Sequence, residues 1–146
     1  MLRLLALFAV FVLAGTSASP AQKASDVIQD FGLLGRWAAN CNRPEAEDNV
    51  YTVYKLEGGS VRRIYYVGVN EISGDSLITN ATRVSVDLIA YDQKTAANER
   101  MRVTLKRRGE QIHVWMSQMD DGRVLVRDGI LTHNGTASPL QSRCSR

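Results

Sequence analysis

The chain has 146 residues, 45% of them hydrophobic, with 18 basic side chains against 15 acidic ones and a formal charge of +3. So even a balance speaks against nucleic acid as a partner, because its binders concentrate positive charge strongly on one face. The length suits one domain built around one core.

Met1-Leu2-Arg3 carries a single positive charge, Leu4 to Ala14 is an unbroken apolar run of eleven residues, and Gly15-Thr16-Ser17-Ala18-Ser19 is small throughout. This is the n-region, h-region and cleavage layout of a secretory signal peptide. A membrane span is the competing reading, but a run of this length rises only about 16 Å as a helix, where a span needs roughly twenty residues. Cleavage after Ala18 or Ala21 fits, since a cut after Ser19 would leave Pro20 at the new terminus. Thr16 in "LAGT" stands where a lipid-accepting cysteine would have to be. Residues 1–21 are therefore expected to be a signal peptide, and 22–146 a single periplasmic or secreted domain with no membrane anchor after cleavage. Losing Arg3 leaves 17 basic residues against 15 acidic, a charge of +2.

The stretch 23–34, "KASDVIQDFGLL", carries the one helical pattern. Ser25 or Asp26 suits the N-cap, Val27, Ile28 and Phe31 make an apolar stripe, and Gly32 is a stop. So short a helix draws its stability from docking on something else.

After Gly35 the period changes to two. "VYTVYKL" (50–56) and "SVRRIYYVGV" (60–69) are rich in β-branched and aromatic residues, as strands are. "SLITNATRVSVDLIAYD" (76–92) is too long for one straight strand, which predicts a bend or bulge near Asn80 to Arg83. In "RMRVTLKR" (100–107), Met101, Val103 and Leu105 alternate with Arg100, Arg102, Thr104 and Lys106, a strand with one wet face. "QIHVWMSQM" (111–119) sets Ile112, Val114 and Met116 on one face and His113, Trp115 and Ser117 on the other. "RVLVRDGILTH" (123–133) is interrupted at Gly129, which suggests a second bulge. Gly58-Gly59, Gly74-Asp75, Arg108-Gly109, Asp121-Gly122 and Asn134-Gly135 fall between these runs and suit tight hairpin turns.

With a strand at Trp37 and another near 136–143, about eight strands result, and no segment between them is long enough for a crossover helix. The fold class is therefore all-β: an antiparallel meander that closes into a small barrel, which removes exposed edges. A β-sandwich with adjacent edge strands is the competing geometry. Cys41 and Cys144 are the only two cysteines. An even pair in an exported chain points to a disulfide. Bridged Cα atoms lie within about 7 Å, so the first and last strands must be neighbours.

Gly35-Arg36-Trp37, after a short helix, resembles the Gly-x-Trp opening motif of lipocalins and related calycins. In that family the tryptophan lies across the closed end of an eight-stranded up-and-down barrel. The resemblance implies that Gly35 and Trp37 close the barrel, with Phe31 to Leu34 at its base. It also implies an arginine of the last strand, Arg127 or Arg143, against the tryptophan. The chain departs from the family at "QMDDGR" (118–123), which has the acids of a Thr-Asp-Tyr-like motif without the tyrosine. "GLLGRWAAN" is similar to the first strand of the avidin family as well, but that family walls its site with several tryptophans. Only Trp115 remains here beside Trp37, so biotin is not implied. The chain further resembles short exported bacterial proteins of unassigned function that begin "GxWA" followed by a cysteine, a likeness that brings no activity with it.

Catalytic motifs are missing: there is no Gly-x-Ser-x-Gly turn, no His-Glu-x-x-His and no Gly-rich phosphate loop. His113 and His133 each stand alone on a strand, whereas a zinc site needs at least three protein ligands. Asp120-Asp121-Gly122 reads as a hairpin turn rather than a calcium site, which takes six to eight oxygens. Asn80-Ala81-Thr82 and Asn134-Gly135-Thr136 match the glycosylation sequon, relevant only to a eukaryotic host. No catalytic residue, metal site or cofactor is assigned, and the oligomeric state stays open. Two binding hypotheses remain. In the first, the barrel holds an apolar or amphipathic small ligand, with Trp115 and Tyr65 among the candidate contacts and Tyr51, Tyr54, Tyr66 and Tyr91 as further wall residues. In the second, the interior is packed, and Arg100, Arg102, Lys106, Arg107 and Arg108, with Arg62 and Arg63, present a positive strand face to an anionic partner.

Overall fold

The computed structural model of the chain describes residues 22–145; the expected signal peptide, 1–21, lies outside the described residues, as does Arg146. One helix, α1 (Ala24–Asp30), precedes β1 (Gly35–Ala38), β2 (Tyr51–Glu57), β3 (Ser60–Gly68), β4 (Glu71–Arg83) and β5 (Leu88–Thr95). Then come β6 (Arg100–Arg108), β7 (Gln111–Met119), β8 (Val124–Arg127), β9 (Ile130–Leu131) and β10 (Gln141–Cys144).

Each strand from β1 to β7 pairs antiparallel with the next. β10 completes the ring by pairing with β1, Trp37 opposite Arg143, and with β7, Gln141 opposite Ile112. The result is a closed barrel of eight strands, β1 to β7 and β10, and closure rules out the sandwich. Opposite β6, the other edge of β7 serves two neighbours. Its first residues carry β10, while Ser117 and Gln118 carry β8, so the β8–β9 hairpin stands outside the ring. Cys41 and Cys144 are disulfide-bonded with their Cα atoms 5.3 Å apart, beside the β1–β10 seam.

Helix α1 plugs one end. Its stop is a Schellman turn: the Gly32 N–H donates to the Gln29 carbonyl and the Leu33 N–H to the Ile28 carbonyl, with Gly32 at φ 72°. Ile28 and Leu33, the apolar pair this motif brings together, are both wholly buried. Val27, Ile28, Phe31 and Leu33 meet Trp37, Tyr54, Val61, Ile78, Ile89, Val103, Leu105 and Ile112 in one core. Arg107 ties the helix down, donating to the Phe31 carbonyl at 2.6 Å and lying 4.8 Å above the Phe31 ring. The Trp37 indole N–H donates to the Leu33 carbonyl at 2.8 Å.

Several local expectations are corrected. The N-cap is Lys23, with no side-chain hydrogen bond, and Ser25 and Asp26 lie inside the first turn. The stretch 76–92 is two barrel strands rather than one bent strand, because Val84 and Ser85 turn back onto the Leu88 carbonyl. A bulge does occur beside the expected stretch, between Ile78 and Asn80 of β4. Gly74-Asp75 is inside β4, not a turn. The reversal comes at Asn70 (φ 61°), and Gly74 makes room for the Tyr65 ring, whose Cδ2 would lie 3.1 Å from an added Cβ. Gly129 is no bulge either: with Asp128 it forms a two-residue turn at φ 52° and 77°, as primed hairpin turns require. Bulges in this region fall instead at Leu125, where the β7–β8 register slips, and at Trp115, where the β6–β7 register slips between Thr104/Met116 and Leu105/Val114. The latter reverses the faces of β7, turning Ser117 inward to donate to the Met101 sulfur at 3.1 Å.

Candidate functional site

The expected stripe of arginines is taken apart by the pleat. Arg62 and Arg63 point to opposite sides of β3. Arg62 pairs with Asp75 on the outside, while Arg63 is inside the barrel and 4% exposed. Arg102 is held by Asp92 at 3.0 Å, and Arg107 is spent on the helix. Arg100 and Arg102 do share a surface cleft of 510 Å³ with Lys94, but Asp92 and Asp120 line it too, so its charge is nearly cancelled. These residues therefore do not form one positive face.

What survives is Lys106 and Arg108. β6 puts them on the outer face, and register sets Lys106 beside His113 of β7. Trp115, two residues on from His113, stands on the same side. The β8–β9 hairpin folds back over them: the Gly129 N–H donates to the Trp115 carbonyl at 2.9 Å, and the Ser138 N–H donates to the Gly129 carbonyl at 2.7 Å. Ser138 Oγ then accepts from the Val114 N–H at 3.2 Å, which pins the following loop to β7. Gly129 is required by contact as well as by φ, since an added Cβ would lie 3.1 Å from His113 Cε1 and 3.4 Å from Trp115 Cε3.

Between the β6–β7 face and this hairpin is a cleft of 550 Å³, within the roughly 300–1,000 Å³ of small-molecule sites. Lys106, Arg108, His113 and Trp115 line one side; Ile130, Ala137, Pro139 and Leu140 line the other, with Asp128 the one acid. The Lys106 ammonium lies 4.2 Å from the Trp115 ring centroid, a cation–π contact, and the His113 ring meets the indole edge-on at 6.0 Å. Among the described residues, neither Lys106 nor Arg108 is in salt-bridge distance of a carboxylate. His113 is 8% exposed, and its Nε2 has no hydrogen-bond partner. Burial, then Arg108 and Lys106, hold this imidazole below its ordinary pKa, so it is neutral at pH 7. Ile130 and Leu140 are exposed apolar side chains at the rim.

The interior is the second candidate. Tyr65, expected as a ligand contact, faces inward and stacks on Arg63, whose guanidinium carbon is 4.4 Å from its ring centroid. Tyr91 and Tyr54 flank the same guanidinium at 5.8 and 5.9 Å and share a hydrogen bond of 3.0 Å. Arg63 donates to Gln93 Oε1 at 3.0 Å. The sequence named these tyrosines as wall residues but missed Arg63 among them, because an arginine in alternation with isoleucine reads as a wet-face residue. The signal was there in the parity: Val61, Arg63 and Tyr65 share one face, and Val61 is core.

At the helix end, Trp37 is 1% exposed and stands opposite Arg143 of the last strand. The Arg143 guanidinium lies against Gly35, where an added Cβ would come within 3.2 Å of its Nε. Of the two arginines that the Gly-x-Trp resemblance offered, Arg143 has the matching place, and Arg127 is on the outer hairpin. Among the described residues there is no group of three or more His, Cys, Asp or Glu that would hold a metal, and no helix is long and apolar enough to cross a membrane. Comparison with protein-family models, with curated proteins and with solved structures finds no match for the chain.

Proposed function

We propose that the protein is an exported binding module that takes an anionic, partly apolar group in the outer cleft between the β6–β7 face and the β8–β9 hairpin. The observation that carries this is the pairing in one cleft of two cations lacking carboxylate partners with an indole and an apolar rim. Lys106 and Arg108 supply charge for an acid group, and Trp115, Ile130 and Leu140 supply surface for its apolar body. The neutral His113 adds a hydrogen-bonding edge without adding charge. A disulfide joining the chain ends suits an oxidising compartment, in keeping with a periplasmic or secreted location.

The barrel interior supports a carrier reading less well. Below Arg63 it is filled by Tyr54, Tyr91 and the core, and neither cleft described above is lined by Arg63 or Tyr91. The module therefore works from its outside surface, with the barrel as a rigid support for β6 and β7.

Isothermal titration with dodecanoate, and with dodecanol as its uncharged counterpart, tests this. Dodecanoate should bind the wild type, dodecanol at least tenfold more weakly, and Lys106→Glu with Arg108→Glu should abolish the difference. Equal binding of acid and alcohol, or full binding by the doubly reversed variant, would overturn the proposal.

A further inference from the structure

Arg63 carries a full positive charge into the barrel, and no carboxylate accompanies it. The acids nearest in sequence and register are on the outer face: Asp75 pairs with Arg62, and Asp92 with Arg102. Among the described residues no salt bridge involves Arg63. Taking an ion out of water is costly unless it is paired and its hydrogen bonds are satisfied, and a guanidinium does not escape by losing its proton. Here the Nε–H is buried without an acceptor, and one amino group reaches Gln93 Oε1 at 3.0 Å. The three tyrosine faces soften the charge without cancelling it. Nor do the phenols ionise: burial, partly offset by Arg63, pushes the Tyr65 hydroxyl up to about 12, and burial holds Tyr91 well above its ordinary range. The Tyr54–Tyr91 hydrogen bond uses one phenol proton and leaves the other free for a further acceptor. Ser76, opposite Arg63 in the β3–β4 register and 4% exposed, adds a hydroxyl to the same neighbourhood.

We propose that the barrel interior is a second binding site, independent of the outer cleft, in which a compact monoanion pairs with the Arg63 guanidinium beneath Gln93. The shared chemistry is a small acceptor of single negative charge, either the carboxylate of a small organic acid or a free halide. Its approach is past Gln93, which together with Met101 lines the 510 Å³ cleft. Gln93 is the wall on this side: its Oε1 accepts from Arg63, and its amide donates only to the Met101 sulfur, at 3.9 Å.

The test is the thermal midpoint at constant ionic strength while sodium gluconate, too bulky to enter, is replaced stepwise by sodium chloride or by sodium formate. The wild type should show a saturable rise of about 8–16 °C at a hundredfold excess over the dissociation constant. A rise with formate alone identifies a carboxylate; a rise with chloride as well identifies any compact monoanion. Gln93→Glu, which supplies a built-in carboxylate at the Arg63 guanidinium, should remove the dependence, and Arg63→Met should remove it too. If Arg63→Met does not fold, Gln93→Glu carries the comparison. A wild-type midpoint that is the same in all three salts, or an unchanged rise in Gln93→Glu, would overturn the proposal.

Discussion

Replacing Cys41 and Cys144 together by serine opens the one covalent tie across the barrel seam, spanning 103 residues of sequence. In the chain-entropy account, a closed loop of about 100 residues restrains the unfolded chain by about 4.7 kcal/mol. The seam needs it more than most of the wall. β10 contributes three residue pairs to β1 and two to β7, whereas β2 and β3 share seven. With each kcal/mol worth about 3–6 °C for a domain of this size, the midpoint should fall by roughly 15 °C or more. Scanning calorimetry of the wild type and the double serine variant, both in non-reducing buffer, measures it. A midpoint within about 2 °C of the wild type would show that the end strands hold together without the bond, and would refute the loop-closure reasoning.

Further outcomes follow from single contacts. Arg107→Ala removes the donor to the Phe31 carbonyl and the cover over its ring, and should cost about 1.5–3 kcal/mol in urea unfolding; the exposed Arg102→Ala should cost under about 1 kcal/mol. Equal costs would mean that Arg107 is an ordinary surface arginine. Gly129→Ala forces a Cβ against His113 at positive φ, and should cost about 1–2 kcal/mol and weaken dodecanoate binding in titration. His113 has its folded-state pKa lowered by burial and by Arg108 and Lys106. Its neutral form therefore contributes stability that is full above the unfolded value of about 6.5 and declines as the pH falls below it. His113→Gln should flatten chemical-denaturation stability between about pH 7 and 5, and parallel profiles for variant and wild type would contradict that.

The architecture was legible where alternation is strict and turns are marked by glycine. β6 is the plainest case, with Val103 and Leu105 buried between exposed Arg102 and half-buried Thr104 and Lys106. The two cysteines announced the neighbouring end strands. Eight barrel strands were expected and eight are present, but their membership shifted. Residues 76–92 supply parts of two, because a turn built from Val84 to Asp87 has no glycine or proline to mark it, and 123–133 supplies none, because its hairpin folds outside the ring. Bulges were the harder feature. A register slip at Trp115 costs one residue and leaves no compositional trace, yet it decides that Ser117, and not Met116, faces inward. The cleft itself was half visible: Trp115 and Lys106 were named, but Ile130, Pro139 and Leu140 join them only through a hairpin that folds outside the ring. Charge patterning misled most, since a run of arginines does not reveal which one is buried.

The most direct test of the working surface is a two-dimensional proton–nitrogen NMR titration with dodecanoate. The Trp115 indole N–H and the amides of Lys106, His113, Gly129 and Leu140 should shift and saturate together, while the Trp37 indole and the amides of Tyr54, Tyr91 and Val103 stay in place. Shifts concentrated on the inward-facing residues, with Trp115 unmoved, would place the ligand inside the barrel and contradict the account.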